Sequence, residues 1–172
     1  MDDFANFRSP IQICIINRRA FAVEAIDKGA IAIVSELEAP EGFPATWIQV
    51  RHGRQALATA AGRFYGHPDR RLHIIGITGT NGKTTTSYIV DSILRHAGFT
   101  TALIGTIEYR LAGRPIPAVN TTPESLDLLG LFVELEQAGG THVTMETSSH
   151  ALALGRVYGI RFETAVFKNL MR

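Results

Sequence analysis

The sequence predicts an α/β protein: a mostly parallel sheet that carries a phosphate-binding P-loop, preceded by a smaller α/β domain. Three observations predict it. The β-branched run Leu72–Ile77 leads into a Gly-Lys-Thr loop, and an amphipathic stretch follows. Apolar strand-like segments then alternate with helical ones, an order that calls for crossover connections and parallel pairing. The turn residues Gly66-His67-Pro68-Asp69 separate this block from a shorter one with a helix and strands of its own. The division places one domain at residues 1–68 and a second at 69–172.

Residues 1–18 hold no sustained period of two or of 3.6, and Pro10 interrupts them, so no element is predicted there. Phe21–Lys28 predicts a helix closed by Gly29. Ala30–Val34 and the alternating Thr46–Val50 predict strands on either side of a Pro/Gly loop at Ala39–Pro44. Gly53–Tyr65 is alanine-rich and helical. After the loop, Ile89, Val90, Ile93, Leu94 and Ala97 recur at helical spacing, and Gly98 ends that helix. Thr101–Thr106 predicts a strand. Ile107–Leu111 and Arg114–Val119 predict a hairpin turning at Ala112-Gly113, with Pro115 and Pro117 marking a sheet edge. A helix over about Pro123–Ala138, a buried strand at Thr141–Met145 and a last strand within Val157–Phe167 complete the series. The chain stops directly after that strand, and a finished doubly wound domain needs more of them. An incomplete central domain, inactive in ligation by itself, is therefore expected.

Lys plus Arg total 17 and Asp plus Glu 16, a net charge of +1 that offers no electrostatic reason to expect nucleic acid or an anionic membrane as partner. Cys14 is the only cysteine, which excludes an internal disulfide and a multi-cysteine zinc site. The acidic start Met1-Asp2-Asp3 and the short run Ile11–Ile16 do not have the form of a secretory signal, and no apolar stretch is long enough for a membrane span. A cytoplasmic monomer is expected.

The chemistry concentrates at Thr78-Gly79-Thr80-Asn81-Gly82-Lys83-Thr84. Glycines let successive backbone N–H groups converge on a phosphate, and the positive end of the next helix adds to them. Lys83 is placed to reach β- and γ-phosphates and the Thr84 hydroxyl to bind magnesium. The strict P-loop spacing needs glycine at Ile77, so this is a variant loop. Glu146, at the end of a predicted parallel strand, stands beside the loop or is an exposed strand-end carboxylate. Asn120-Thr121-Thr122-Pro123 opens a helix, either as a cap with Thr122 at N-cap and Pro123 at N1 or as an anion site. Ser148-Ser149-His150 is expected on a loop, and Arg156 is of the kind that is ordinarily a solvated surface charge.

The loop Thr78–Thr86, Leu103–Arg110, Asn120–Pro123 and Met145–Leu152 together resemble the Mur ligases, and within them the UDP-N-acetylmuramoyl-tripeptide synthetases. The resemblance covers about Phe21–Arg172. It implies three domains: a uridine-binding N-terminal domain, a central ATPase and a C-terminal domain. It implies that ATP phosphorylates the D-Glu carboxylate of UDP-N-acetylmuramoyl-L-alanyl-D-glutamate, and that the amine of diaminopimelate or lysine attacks the acyl phosphate. Carried over by residue, it implies ATP contacts from Gly79, Thr80, Asn81, Gly82, Lys83, Thr84 and Thr85. Lys83 and Glu146 would be catalytic, with Thr84 and Glu146 as magnesium ligands. Asn120, Thr121, Thr122, Ser148 and Arg156 would contact the muramoyl-dipeptide. Leu154 stands where some members have a glutamine, and Lys168 where threonine is usual. Folylpolyglutamate synthetases share the loop type. A small kinase or a non-catalytic nucleotide-binding module would be a different use of the same loop.

Overall fold

The computed structural model describes residues 13–16, 18 and 20–169. The chain divides into two compact units, residues 1–57 and 58–172.

In the first unit three parallel strands lie in the order β1 (Ile13–Ile16), β2 (Ala32–Ser35), β3 (Thr46–Gln49). β1 falls where no element was predicted. Four consecutive apolar residues carry no period, and only pairing with β2 reveals them as a strand. Residues 1–12 and 17 of that segment lie outside the described residues. Helix α1 (Ala20–Asp27) places Ala22 and Ala25 on fully buried Ile33, with Phe43 and Trp47 closing the cluster in an edge-to-face pair. Small residues at those helix positions let the backbone come close to the sheet. Helix α2 (Gly53–Phe64) runs across the division between the units.

The second unit is a six-stranded sheet with the order β7-β6-β5-β8-β4-β9. Its strands are β4 (His73–Thr78), β5 (Thr101–Ile104), β6 (Glu108–Leu111), β7 (Arg114–Pro117), β8 (His142–Glu146) and β9 (Thr164–Phe167). Pairs β5–β8, β8–β4 and β4–β9 are parallel; β5–β6 and β6–β7 are antiparallel. The sheet is thus mixed, with three of its five pairings parallel, and the reversal has a local cause. Ala112 and Gly113 both take positive φ, 47° and 84°, as a two-residue hairpin turn requires. The hairpin folds back, and its two prolines lie on the outermost strand, where no ladder N–H is needed.

Helices α3 (Lys83–His96), α4 (Ser125–Gln137) and the short α5 (Ser149–Ala153) accompany this sheet. Ile74, Ile77, Leu103, Ile104, Val143 and Met145 from the central strands are fully buried, as are Leu128, Phe132 and Leu135 of α4. Burying each such side chain contributes about 1.5–3 kcal/mol. α3 packs on β4, β5 and β8 and α4 against β6, and the register of the central strands aligns Ile77 of β4 with Glu146 of β8. Among the described residues no helix is long and apolar enough to cross a membrane.

Two local expectations change. Thr122 is not a helix cap: α4 starts at Ser125 after Glu124, without a side-chain cap. A residue before proline is pushed out of the helical region, and the Thr122 hydroxyl is bonded elsewhere. Ser149-His150 is helical, not loop, with Ser148 as the true N-cap of α5.

Candidate active site

The site forms where parallel strands β4 and β8 end side by side. The loop after β4 turns through Gly82, which holds φ 78° and stands at the N-cap of α3 with no side-chain cap. The first-turn amides of a helix have no partner within it, so this end faces outward with its donors and its positive dipole. Lys83 is folded onto the loop: its Nζ donates to Gly79 O at 2.7 Å and to Thr80 O at 3.3 Å. Thr80, Asn81 and Thr85 are exposed.

Glu146 is fully buried. Its Oε2 accepts from Thr84 Oγ1 at 3.0 Å and from Thr106 Oγ1 at 3.1 Å, and its Oε1 accepts the Thr106 N–H at 3.1 Å. No cation pairs with this carboxylate among the described residues, so neutral donors alone offset the cost of burying it. Gly105 makes room for it. A Cβ there would lie 2.4 Å from Glu146 Oε1.

The remaining predicted residues join the same network. Thr106 Oγ1, whose proton goes to Glu146, accepts the Thr121 hydroxyl at 3.1 Å. Thr122 Oγ1 donates to Glu146 O at 2.9 Å and accepts the Ser148 N–H at 3.2 Å. Ser148 Oγ accepts the Ala151 N–H at 3.1 Å. Arg156 is not a solvated charge: Nη1 donates to Thr122 O at 3.0 Å, and Nε lies 2.8 Å from Glu124 Oε1 without the alignment of a hydrogen bond. Asn120 is held through its backbone. Its O accepts the Tyr109 hydroxyl at 2.5 Å, and its N–H donates back to that oxygen at 3.1 Å. Burial raises the Tyr109 phenol above its ordinary value, which keeps the proton that makes the first of these bonds.

Four further residues shape the site without having been predicted as site residues, although Lys168 had been noted as standing where threonine is usual. Thr106 holds the carboxylate at two points, and Tyr109 holds the Asn120 segment. Asn169 holds the loop: its O accepts the Thr80 N–H and its Oδ1 the Asn81 N–H, both at 3.1 Å. Lys168 lies over Gly82, its Nζ 3.4 Å from Gly82 O. A buried support sits behind them, where Asp91 of α3 accepts from Thr101 Oγ1 at 2.6 Å and pairs with Arg110 at 3.5 Å.

The arrangement sets a cationic, amide-rich loop against a buried carboxylate with a hydroxyl between them. It can bind a phosphate chain on one side and a divalent cation on the other. No group of three His, Cys, Asp or Glu side chains among the described residues could hold a metal. A single carboxylate and a hydroxyl instead suit a hard cation that brings other oxygen ligands with it.

Comparison with known proteins places the chain. The Mur ligase middle domain matches residues 77–172. A UDP-N-acetylmuramoyl-L-alanyl-D-glutamate--2,6-diaminopimelate ligase of Solibacter usitatus (strain Ellin6076) is 66% identical over 154 residues, covering 90% of this chain and 31% of that protein. The ligase of the same name from Geobacillus thermodenitrificans (strain NG80-2) is 49% identical over 150 residues, covering 87% and 30%. A solved structure of a ligase with that name superposes with a TM-score of 0.79 at 32% identity, over 93% of this chain and 33% of the other. The chain thus spans under a third of the length of these two curated relatives. With its loop, its buried carboxylate and its sheet accounted for, the chain belongs to the Mur ligase family, which it matches through the middle domain.

Proposed function

We propose that the chain serves ATP-dependent amide ligation in peptidoglycan precursor synthesis. The reaction adds a third amino acid to UDP-N-acetylmuramoyl-L-alanyl-D-glutamate through an acyl phosphate. The names of the relatives support diaminopimelate as the amine donor. In this reading residues 69–172 belong to the ATP-binding domain, built on the P-loop, and residues 1–68 to a smaller domain for the UDP-sugar end. The protein works in the cytoplasm.

The observation that carries the reading is the 3.0 Å between Thr84 Oγ1 and Glu146 Oε2. Two neighbouring ligands of an octahedral magnesium, each at about 2.0–2.1 Å, lie about 2.9 Å apart. The two oxygens already have the spacing of such a pair, directly beside the phosphate loop. Magnesium there would offset charge on the transferring phosphoryl group. Gly79, Thr80, Asn81, Gly82, Lys83, Thr84 and Thr85 form the nucleotide side, with Lys83 turning from Gly79 O to the β- and γ-phosphates. Asn120, Thr121, Thr122, Ser148 and Arg156 line the substrate side. There they position the D-Glu carboxylate for attack on the γ-phosphate.

The test is titration calorimetry with magnesium-ATP on the wild type and on Lys83→Ala. Removing the lysine is expected to weaken binding by about 1.5–3 kcal/mol, the range for a charge-assisted hydrogen bond. Equal affinities would overturn the assignment of the loop.

A further inference from the structure

The phosphate loop holds one lysine along the chain but two in space. β9 pairs with β4 so that Thr78 lies opposite Phe167, and the Lys168 N–H donates to Thr78 O at 3.0 Å. The next residue, Asn169, ties down the amides of Thr80 and Asn81. The backbone on both sides of Lys168 is thereby bonded to the loop, and its side chain crosses the loop at Gly82. There Nζ comes within 3.4 Å of Gly82 O, and a Cβ at Gly82 would lie 2.0 Å from Nζ. Glycine suits position 82 for its positive φ, and its missing side chain leaves the space in which the exposed amine now lies.

Neither Lys83 nor Lys168 forms an ion pair with a carboxylate among the described residues; the partners of both ammonium groups are loop carbonyl oxygens. Glu146, the buried carboxylate nearby, is taken up by Thr84 and Thr106. Two like charges drawn to one short loop repel each other, and neutral carbonyls compensate them only partly. An anion with several charges, placed between the amines, satisfies both. We propose that Lys168 is a second phosphate-binding residue, which contacts the terminal phosphates of a nucleoside triphosphate from the β9 side while Lys83 contacts them from α3. The proposal rests on the nucleotide reading of the loop and adds to it a discrimination by phosphate number. AMP ends short of the two amines, whereas ATP reaches both.

The experiment measures Kd for ATP, ADP and AMP, with magnesium, on the wild type, Lys168→Met, Lys168→Arg and Lys83→Ala. Lys168 is exposed, so Lys168→Met is expected to keep the wild-type melting temperature. Lys168→Met should weaken ATP about three- to tenfold, a solvent-discounted charge-assisted contact, and leave AMP unchanged. Lys168→Arg should stay near wild type for ATP, and the salt dependence of ATP binding should flatten in Lys168→Met and in Lys83→Ala but not in Lys168→Arg. Unchanged ATP affinity in Lys168→Met, beside a loss in Lys83→Ala, would overturn the proposal while leaving the loop assignment intact. Equal losses for ATP and AMP would overturn it too, because they would mark a structural role. A wild type that binds no nucleotide would refute the loop assignment and this proposal with it.

Discussion

Substituting Gly105 by alanine tests how the buried carboxylate is held. The added methyl would stand 2.4 Å from Glu146 Oε1 and 3.3 Å from Cδ, so the carboxylate must move. It is already fixed by Thr84 Oγ1, Thr106 Oγ1 and the Thr106 N–H. Rotating away loses first the amide bond to Oε1, an interaction with a charged acceptor that contributes about 1.5–3 kcal/mol. Overpacking the filled space costs about 1–3 kcal/mol more. Alanine also restricts the unfolded chain, which offsets about 0.4–1 kcal/mol, since Gly105 does not need positive φ. The net expectation is a loss of about 2–5 kcal/mol. In a chain of this size that corresponds to a drop of about 5–15 °C in melting temperature. The decisive comparison is a double-mutant cycle. In a Glu146→Ala background the atom struck by the new methyl is gone, so Gly105→Ala should cost almost nothing there. The same loss in both backgrounds, or no loss in either, would refute the reasoning.

Two further outcomes follow from the same network. Tyr109→Phe removes a hydroxyl that both donates to and accepts from the Asn120 backbone. It should cost about 1–3 kcal/mol of stability and raise amide exchange at Asn120–Thr122, and unchanged exchange there would contradict it. His142 should make stability depend on pH. Burial, and then the neighbouring His73, hold its imidazole below the ordinary value, against a smaller opposing pull from Glu163. The unfolded chain then takes up a proton that the folded chain resists. Stability from this residue is complete above about pH 6.5, the unfolded value, and falls as the pH drops towards the lower folded one. His142→Gln should flatten that fall, and identical profiles for the two proteins would count against it.

The loop and its flanks were legible because their signal is local. A β-branched strand, glycines, a lysine and an amphipathic helix follow each other within some 25 residues. The hairpin was legible for the same reason, at Ala112-Gly113, although its effect on sheet direction was not: strand order depends on which distant edge the hairpin joins. Glu146 could be placed at a strand end but not inside the protein, since its burial depends on the absence of a side chain at Gly105. Thr122 looked like a cap because threonine before proline usually is one. Its hydroxyl instead serves Glu146 and Ser148, more than 20 residues on. Arg156 looked solvated because nothing beside it in the chain is acidic; its partner Glu124 comes from the segment before α4. Lys168 was noted only as a departure from the usual threonine, and the hold that it and Asn169 have on the loop stayed hidden because their partners there are backbone groups, which no residue type announces.

Asn169 has a consequence for the order in which the protein is made. It lies 88 residues beyond Asn81, the amide it holds. Synthesis runs from the N-terminus, and contacts this distant in sequence form late because the intervening chain must first be ordered. A nascent chain that has emerged only through α3 has the loop's sequence but not the acceptors of the Thr80 and Asn81 N–H groups. These two loop amides therefore gain their partners only when β9 docks on β4, so this part of the loop is completed by a strand made long after the one that leads into it.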